Sequence, residues 1–389
     1  MNPTSLMTPD PEKPQAPSKH EPFHAAVIDG GGLAVTAWTA NRTLETPEAR
    51  VKGAIYIFAT ALASISRMIR PGCPVIVAWD GDDNRKWRRG FHPWYKHGRG
   101  SLVNREEIRV VTSQLDALLK AMGVIVFKVN GREADDVVAT VVRMLVERDG
   151  RDVLIFSDDK DYLQLVRPGV ALNRRSFNGM LVTHDNAAVH GIAIGAECLY
   201  EKAMIGDSGD NIRGLKQIGE AKARAALAIN SRLVEQCLEN PTDVDWSQFE
   251  GSLRRAFVKA GRRLVWPPQI EDLKFVKEFV RRRKLNVSPS DAELGDDECL
   301  IATAAEIANM FHLVEMDDHM DDQHNFDLTR PKPNLEAIPV ILRRLELDDE
   351  TDIYSSLYRI AGMVSPGVNP PWRAASRASD IDPITDDKF

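Results

Sequence analysis

The chain is 389 residues long, enough for two or three domains with a sizeable core. No apolar run approaches the ~18 residues of a membrane span, and four scattered cysteines (Cys73, Cys198, Cys237, Cys299) without a C-x-x-C pair exclude a disulfide scaffold or cysteine zinc site and predict a reducing, cytoplasmic setting. The net charge of −7 hides an asymmetry: from Ser288 onward 22 acids face 8 bases, so the upstream chain is net +7, as expected of a polyanion binder.

Residues 1–22 are polar and proline-rich and predict a disordered lead, with no secretory signal. HAAVID (24–29) reads as a short buried strand followed by glycines, and 47–69 carries helical periodicity. PVIVAWD (74–80) is a second strand. A basic insert, 81–105, includes NRKWRRGFHPWYKHGR (84–99) and precedes a helix at 106–123. VIVFKV (124–129) reads as a third strand, 133–148 as a helix, and DVLIFSDDKD (152–161) as a fourth strand running into DYLQLV. Alternating strands and helices predict an α/β core over 23–184, built on a mostly parallel doubly wound sheet. Past residue 185 helices dominate, which predicts a helical domain to residue 287 with a second basic span at 254–284. Residues 288–389 stand apart as an acidic extension of unassigned role, in which DDHMDDQH (317–324) reads as a solvated acidic loop.

Acids fall at the ends of the predicted strands. Asp29 ends the first and Asp80 the second; Glu133, Asp135 and Asp136 open the helix after the third; Asp159 and Asp161 follow the fourth. Ligands bind in open α/β sheets at the carboxyl ends of the strands. Any one of these acids is explained by helix capping. Four strand ends in succession are not, because converging carboxylates without a counter-cation oppose folding. Hard oxygen donors with no clustered Cys or His select Mg²⁺ or Mn²⁺ over zinc, and this many carboxylates can hold two ions roughly 4 Å apart, as in phosphodiester cleavage. Beyond them, IGDSGDNIRGLKQIGEAKARAAL (205–227) sets Asp207 and Asp210 before a glycine turn that can hold phosphate at a helix N-terminus.

The order IDGGGL, WDG…WRR…YKHGR, GREADD, SDDKDYLQL and GDSGDNIRGLKQIGEAKA, spanning about residues 24–230, resembles the 5′-nuclease family. That family includes phage 5′–3′ exonucleases, the nuclease domain of bacterial DNA polymerase I and flap endonucleases. The resemblance implies a PIN-like core. It implies a first metal cluster of Asp29, Asp80, Glu133, Asp135 and Asp136, and a second of Asp159, Asp161, Asp207 and Asp210. It makes Ile212–Ala225 a helix-three-turn-helix that grips duplex phosphates through Gly214, Lys216, Gly219 and Lys222, with a potassium ion bound in the turn. The insert sits where the family carries an arch or clamp. Arg88, Lys96 and Arg99 match its basic positions and are expected to add positive potential at the scissile phosphate, with Trp94 and Tyr95 stacking on an unpaired base. One departure is Thr36, where many relatives carry an arginine; Asp158 is an extra acid read as non-ligating.

The implied activity is metal-dependent 5′–3′ exonuclease and flap or structure-specific endonuclease cleavage of DNA, giving 5′-phosphate products. Its substrates are 5′ ends, flaps, nicks and RNA-primed duplexes in replication or degradation, with the acidic C-terminus recruiting a replication partner and no membrane involved. Two other classes remain open at this level. A PIN-like ribonuclease would share the acids but has no reason for the glycine turn, and a non-catalytic branched-DNA binding module should have lost ligands.

Overall fold

The computed structural model describes residues 22–93, 95–97, 104–173, 180–249, 251–264, 295–346, 357–358 and 360–361. The lead at 1–21, Trp94, Arg99 and most of the second basic span lie outside the described residues.

The first half alternates as its pattern predicts. In chain order come β1 (Ala25–Asp29), α1 (Gly30–Ala40), α2 (Pro47–Met68), β2 (Val75–Trp79), α3 (Lys86–Phe91), α4 (Arg105–Ala121), β3 (Ile125–Lys128), α5 (Ala134–Arg143), β4 (Val153–Phe156), β5 (Val170–Asn173) and β6 (Leu181–Val182). They form one sheet in the order β3-β2-β1-β4-β5-β6, parallel except for β6. Neighbouring side chains of a strand point to opposite faces. Ala26 and Ile28 of β1 therefore join α1, α2 and α4 in one core, while Ala25 and Val27 join α5 in another. The strand order reverses between β1 and β4, so the crevice for a ligand opens beyond Asp29 and Phe156.

Several elements of this half are not anticipated by the sequence pattern. The glycines after Asp29 begin α1: the Asp29 carboxylate accepts from the Gly32 amide at 2.8 Å and caps the helix. A Cβ on Gly30 would stand 2.6 Å from Val77 Cγ1, so glycine is what lets α1 seat against β2. DYLQLV does not extend the fourth strand; Lys160–Leu165 is a 3₁₀ turn started by Asp159. The short β5 and β6 complete the sheet.

The second half is helical apart from one small hairpin. After α6 (His184–Ala187) come α7 (Gly195–Ile205), β7 (Gly206–Asp207), β8 (Ile212–Arg213), α8 (Glu220–Ile229), α9 (Leu233–Glu239), α10 (Gly251–Leu264), α11 (Asp296–Val314) and α12 (Ala337–Arg344). α11 is the spine of this layer and packs on α7, α9 and α10. A Cβ on Gly261 would lie 1.8 Å from the Cys299 carbonyl oxygen, so α10 and α11 cross in backbone contact. Thr303 Oγ1 donates to the Phe257 carbonyl across that crossing at 2.9 Å. Among the described residues no helix is long and apolar enough to cross a membrane.

The acidic C-terminal part does not stand apart as its composition suggests. α11 fills the helical core with Leu300, Ile307 and Phe311, Phe326 packs on Phe127 at 5.0 Å, and Ile338, Leu342 and Leu357 enter the core beneath α2 and α4. The expected solvated loop at 317–324 is a strap: Asp317 pairs with Arg132 at 2.7 Å, and Asp321 pairs with Arg143. Acids here answer the bases of the core, which composition alone cannot reveal.

Candidate active site: a carboxylate cluster at the sheet edge

Asp29 is 5 % exposed; besides capping α1 it accepts from Ser157 Oγ of the neighbouring strand end at 3.0 Å. Burial, with Asp80 and Asp159 nearby, pushes its carboxyl up to about 6. A Cβ on Gly32 would meet Asp29 Oδ2 at 2.2 Å, so the carboxylate lies flat on the helix start. Asp80 accepts from the Ala134 amide at 3.0 Å and so ties the end of β2 to the first turn of α5. Asp135 accepts from the buried Tyr162 hydroxyl at 2.7 Å. Burial raises its carboxyl well above the usual range, and Asp29 and Asp159 add to the rise. Asp159 starts the 3₁₀ turn by accepting from the Asp161 amide at 2.9 Å, and it too is raised, by burial and then by Asp161.

Two buried lysines balance the rest. Lys96 donates to Glu133 at 2.6 Å and stands 3.6 Å from Asp210. Lys202 of α7 pairs with Asp161 and, at 3.2 Å, with Asp207. Burial alone would raise Glu133 and Asp207. The cations hold both below the usual carboxylate range: Lys96 and Arg88 beside Glu133, Lys202 beside Asp207. Burial opposes charge on Lys96, yet Glu133 and the acids around it keep its proton on. As arranged, no three His, Cys, Asp or Glu side chains among the described residues converge closely enough to hold an ion. The donor set nonetheless fits a hard divalent cation: it is all carboxylate, it is crowded enough to raise three of its members, and its compensation comes from two lysine ammonium groups.

The insert differs most from expectation. Its described part folds down onto the acids. Arg88, expected as a cation for the scissile phosphate, is 3 % exposed; it donates to Glu133 at 2.8 Å, forks onto Asp136 at 2.7 and 3.0 Å, and donates to the Glu315 carbonyl at 3.0 Å. Trp87 lies between the guanidinium groups of Arg88 and Arg132, at 4.6 and 4.7 Å. Tyr95, expected to stack on a base, is 3 % exposed and donates to Glu133 at 2.8 Å. Asp136, expected as a metal ligand, is fully buried; its oxygens are taken by Arg88, by Trp87 Nε1 and by the Asp317 amide. Buried charges require partners, and in this chain the partners of these three lie within the protein. Sequence reading also missed Lys202, Ser157 and Tyr162. The only trace of Lys202 is a basic residue in the otherwise apolar end of α7 beside GDSGD.

The glycine turn follows β8. Gly206 has φ +72° and a Cβ there would lie 2.2 Å from the Gly214 amide nitrogen; a Cβ on Gly214 would meet the Ile205 carbonyl at 1.8 Å. The hairpin is therefore closed by backbone alone, which leaves Asp207 and Asp210 facing the cluster. α8 begins at Gly219 with no side-chain cap, so its first amides stay available. Lys216 is exposed, and Lys222 donates to the Gln217 carbonyl at 2.8 Å.

Residues 24–191 match the family model described as the 5′-3′ exonuclease, N-terminal resolvase-like domain. A 5′-3′ exonuclease of Buchnera aphidicola (subspecies Schizaphis graminum) is 26% identical over 193 residues, which are 50% of this chain and 66% of that protein. DNA polymerase I of Bacillus subtilis is 28% identical over 230 residues, 58% of this chain and 26% of its own length. The chain thus spans just under two thirds of the former and about a quarter of the latter. Among solved structures, T5 5′-exonuclease with bound zinc is 18% identical with a TM-score of 0.48, and the alignment covers 87% of this chain and 99% of that one. The matched model runs from β1 past β6, so this part of the chain is similar to the 5′-3′ exonuclease N-terminal domain, and the relatives matched over half of the chain or more are a 5′-3′ exonuclease and a DNA polymerase I.

Proposed function

We propose that the chain is a divalent-cation-dependent 5′ nuclease acting on DNA, cutting exonucleolytically at 5′ ends and nicks and endonucleolytically at flaps, and leaving 5′-phosphate products. The observation that supports it most is the crowd of Asp29, Asp135 and Asp159 at the edge where the strand order reverses, three carboxyls each raised by burial and by at least one neighbouring acid. Asp29, Asp80, Glu133 and Asp135 are proposed to hold one cation and Asp159, Asp161, Asp207 and Asp210 a second. Mg²⁺ or Mn²⁺ bound there supplies charge neutralisation at the scissile phosphate and a more acidic water. Asp136 and Arg88 drop out of this set because each already satisfies the other.

Lys96 and Lys202 now neutralise the carboxylates that face them. With a cation held by those acids, each ammonium would be left to face a phosphate oxygen, where its positive charge would stabilise the pentavalent phosphorus. Tyr162 and Ser157 hold Asp135 and Asp29 in place. The uncapped start of α8 with Lys216 receives duplex phosphates, with potassium in the turn, and fixes the distance from duplex to cluster. Primer removal or end degradation in replication is the setting this chemistry suits.

The test uses end-labelled 5′-flap, nicked and RNA-primed duplexes with Mg²⁺, Mn²⁺ or chelator. Cleavage of the flap and nick only with metal is expected. Cleavage of RNA alone would favour a ribonuclease, and binding without cleavage a non-catalytic module.

A further inference from the structure

Lys96 reaches Glu133 from the insert, so its place depends on how the insert is seated. The stem of the insert lies on the turn between β3 and α5. The Gly81 amide donates to the Arg132 carbonyl at 3.0 Å, and a Cβ on Gly81 would stand 1.8 Å from the Val129 carbonyl oxygen. Nine residues before Lys96, Trp87 of α3 donates its indole N–H to Asp136 at 3.3 Å. The guanidinium groups of Arg88 and Arg132 lie 4.6 and 4.7 Å from its ring. Arg132 thus meets the stem through its carbonyl and α3 through its side chain.

Two cations on one ring repel each other, and each is held by acids of its own. Arg88 has Glu133 and Asp136. Arg132 has Asp317 of the strap at 2.7 Å, and the Asp317 amide donates to Asp136 at 3.0 Å. The contacts close a circuit through Asp317, Arg132, Trp87 and Asp136, one residue each from the strap, the turn, the insert and α5. The strap is pinned to α5 in turn: Thr140 Oγ1 donates to the Asp317 carbonyl at 3.1 Å and Arg143 Nε to the Asp318 carbonyl at 2.7 Å. Without the Asp317 carboxylate, Arg132 is a lone cation beside Arg88. It is 14 % exposed at its side chain, so a way out to water is open, and leaving strips Trp87 of one wall.

A shift of α3 would be felt at Lys96. Arg89 Nε of α3 donates to the Tyr95 carbonyl at 3.2 Å, immediately before Lys96, whose own amide is held by the Asp210 carbonyl at 2.9 Å. We infer that Asp317 and Arg132 are positioning residues: acting through Trp87, they seat α3 so that Lys96 is delivered to Glu133. The consequence for rate rests on the nuclease reading; the consequence for the insert does not.

Two readouts on the full chain test this, using Asp317→Ala, Trp87→Ala and the double variant. The first needs neither DNA nor metal. Trypsin under single-hit conditions reports the seat of α3 by cutting after Arg88, which is 3 % exposed and is reached only when α3 lifts. That rate should rise about tenfold in Asp317→Ala, while cutting after the exposed Lys222 of α8 stays unchanged. In Mg²⁺, kcat on a nicked duplex should fall about tenfold with KM within about twofold of wild type, since a displacement of about 1 Å can cost up to ~10²-fold in rate. Added to Trp87→Ala, Asp317→Ala should change either readout by less than about twofold. Asp317→Asn keeps an oxygen for Arg132 and should hold kcat within about threefold of wild type. Should Asp317→Ala not fold, Arg132→Met takes its place with the same outcomes expected. Wild-type kcat together with wild-type cutting after Arg88 overturns the inference. A full loss that persists in the Trp87→Ala background also overturns it, because Asp317 would then act by a route that bypasses Trp87. So does a raised KM at unchanged kcat, which would make the strap a DNA contact. A wild-type protein that leaves the nick uncut overturns the nuclease reading, and the trypsin readout still decides the seat of α3.

Discussion

Acids at one end of one sheet are treated in two opposite ways. Asp29, Asp135 and Asp159 lie close together, and burial with neighbouring acids raises each of their carboxyls, that of Asp29 to about 6. Glu133 and Asp207, no less desolvated in kind, are held low by Lys96, Arg88 and Lys202. Asp136 is further still from free, locked onto Arg88 and the Asp317 amide. The difference separates the carboxylates proposed to depend most on a bound cation from those, the scaffold group, whose charge the protein's own cations already offset.

The scaffold group reaches into the C-terminal strap, so the comparison breaks most completely there. Ending the chain before Asp296 removes α11, Asp317 and Asp321, and with them the central helix of the second layer. Loss of the cooperative unfolding transition and of soluble monomer is expected; a truncated protein with a sharp melt and full cleavage would return the segment to an independent tail. Next in size, Asp135→Asn should lower flap cleavage at least a thousandfold, about 4 kcal/mol in barrier, while the metal-free protein melts no lower than wild type because a repulsion is gone. A rate within tenfold of wild type would move Asp135 into the scaffold group.

Arg88→Ala tests the other side. It leaves Glu133 and Asp136 buried without their guanidinium, and urea unfolding should show a loss of about 3–5 kcal/mol. Replacing both members, Arg88→Met with Asp136→Leu, should cost less than either single change, because no lone charge remains. If Arg88→Ala instead abolishes cleavage at normal stability, Arg88 acts on substrate. The smallest effect is a control outside the carboxylate cluster. Glu107 is pulled down to about 2 by the hydrogen bond from Arg50, with Trp38 and Asn104 adding to it. A depressed carboxyl stabilises fully above its ordinary value near 4.5 and loses that contribution as pH falls toward 2. Glu107→Gln should therefore lower Tm by about 2–4 °C at pH 7, and the two melting curves should converge between pH 4.5 and 2; a constant gap would mean that the carboxylate charge is not what Arg50 and Trp38 need.

Much of this architecture is legible in the residues. The first four strands in chain order, α2, α4, α5 and the positions of nearly all the acids follow from apolar runs that end in Asp or precede Glu-x-Asp-Asp. What escapes is of two kinds. α1 begins on three glycines, a signal for a loop, because seating against β2 outweighs helix propensity. The partners escape as well: nothing local tells that Arg88 turns inward while Lys216 stays out, or that Lys202 sits among acids. Those choices depend on partners in other elements of the fold: Arg88 meets Glu133 and Asp136 at separations of 45 and 48 residues and Glu315 at 227, and Lys202 meets Asp161 of the turn after β4. The acidic strap misleads for the same reason, since its composition is that of a solvated tail and its answering bases are Arg132 and Arg143.

The Arg88–Glu315 and Asp136–Asp317 contacts also set a clock. They join positions 227 and 181 residues apart, and Lys52 reaches Glu346 across 294. Contacts of such separation close last and slow the search for the native state. Synthesis at ~5–20 residues per second delivers the carboxylate cluster roughly 5–20 seconds before its strap. During that interval the ribosome-bound chain carries every acid of the cluster and lacks the backbone amide that fixes Asp136, so the proposed metal site gains that scaffold contact only after the strap has emerged.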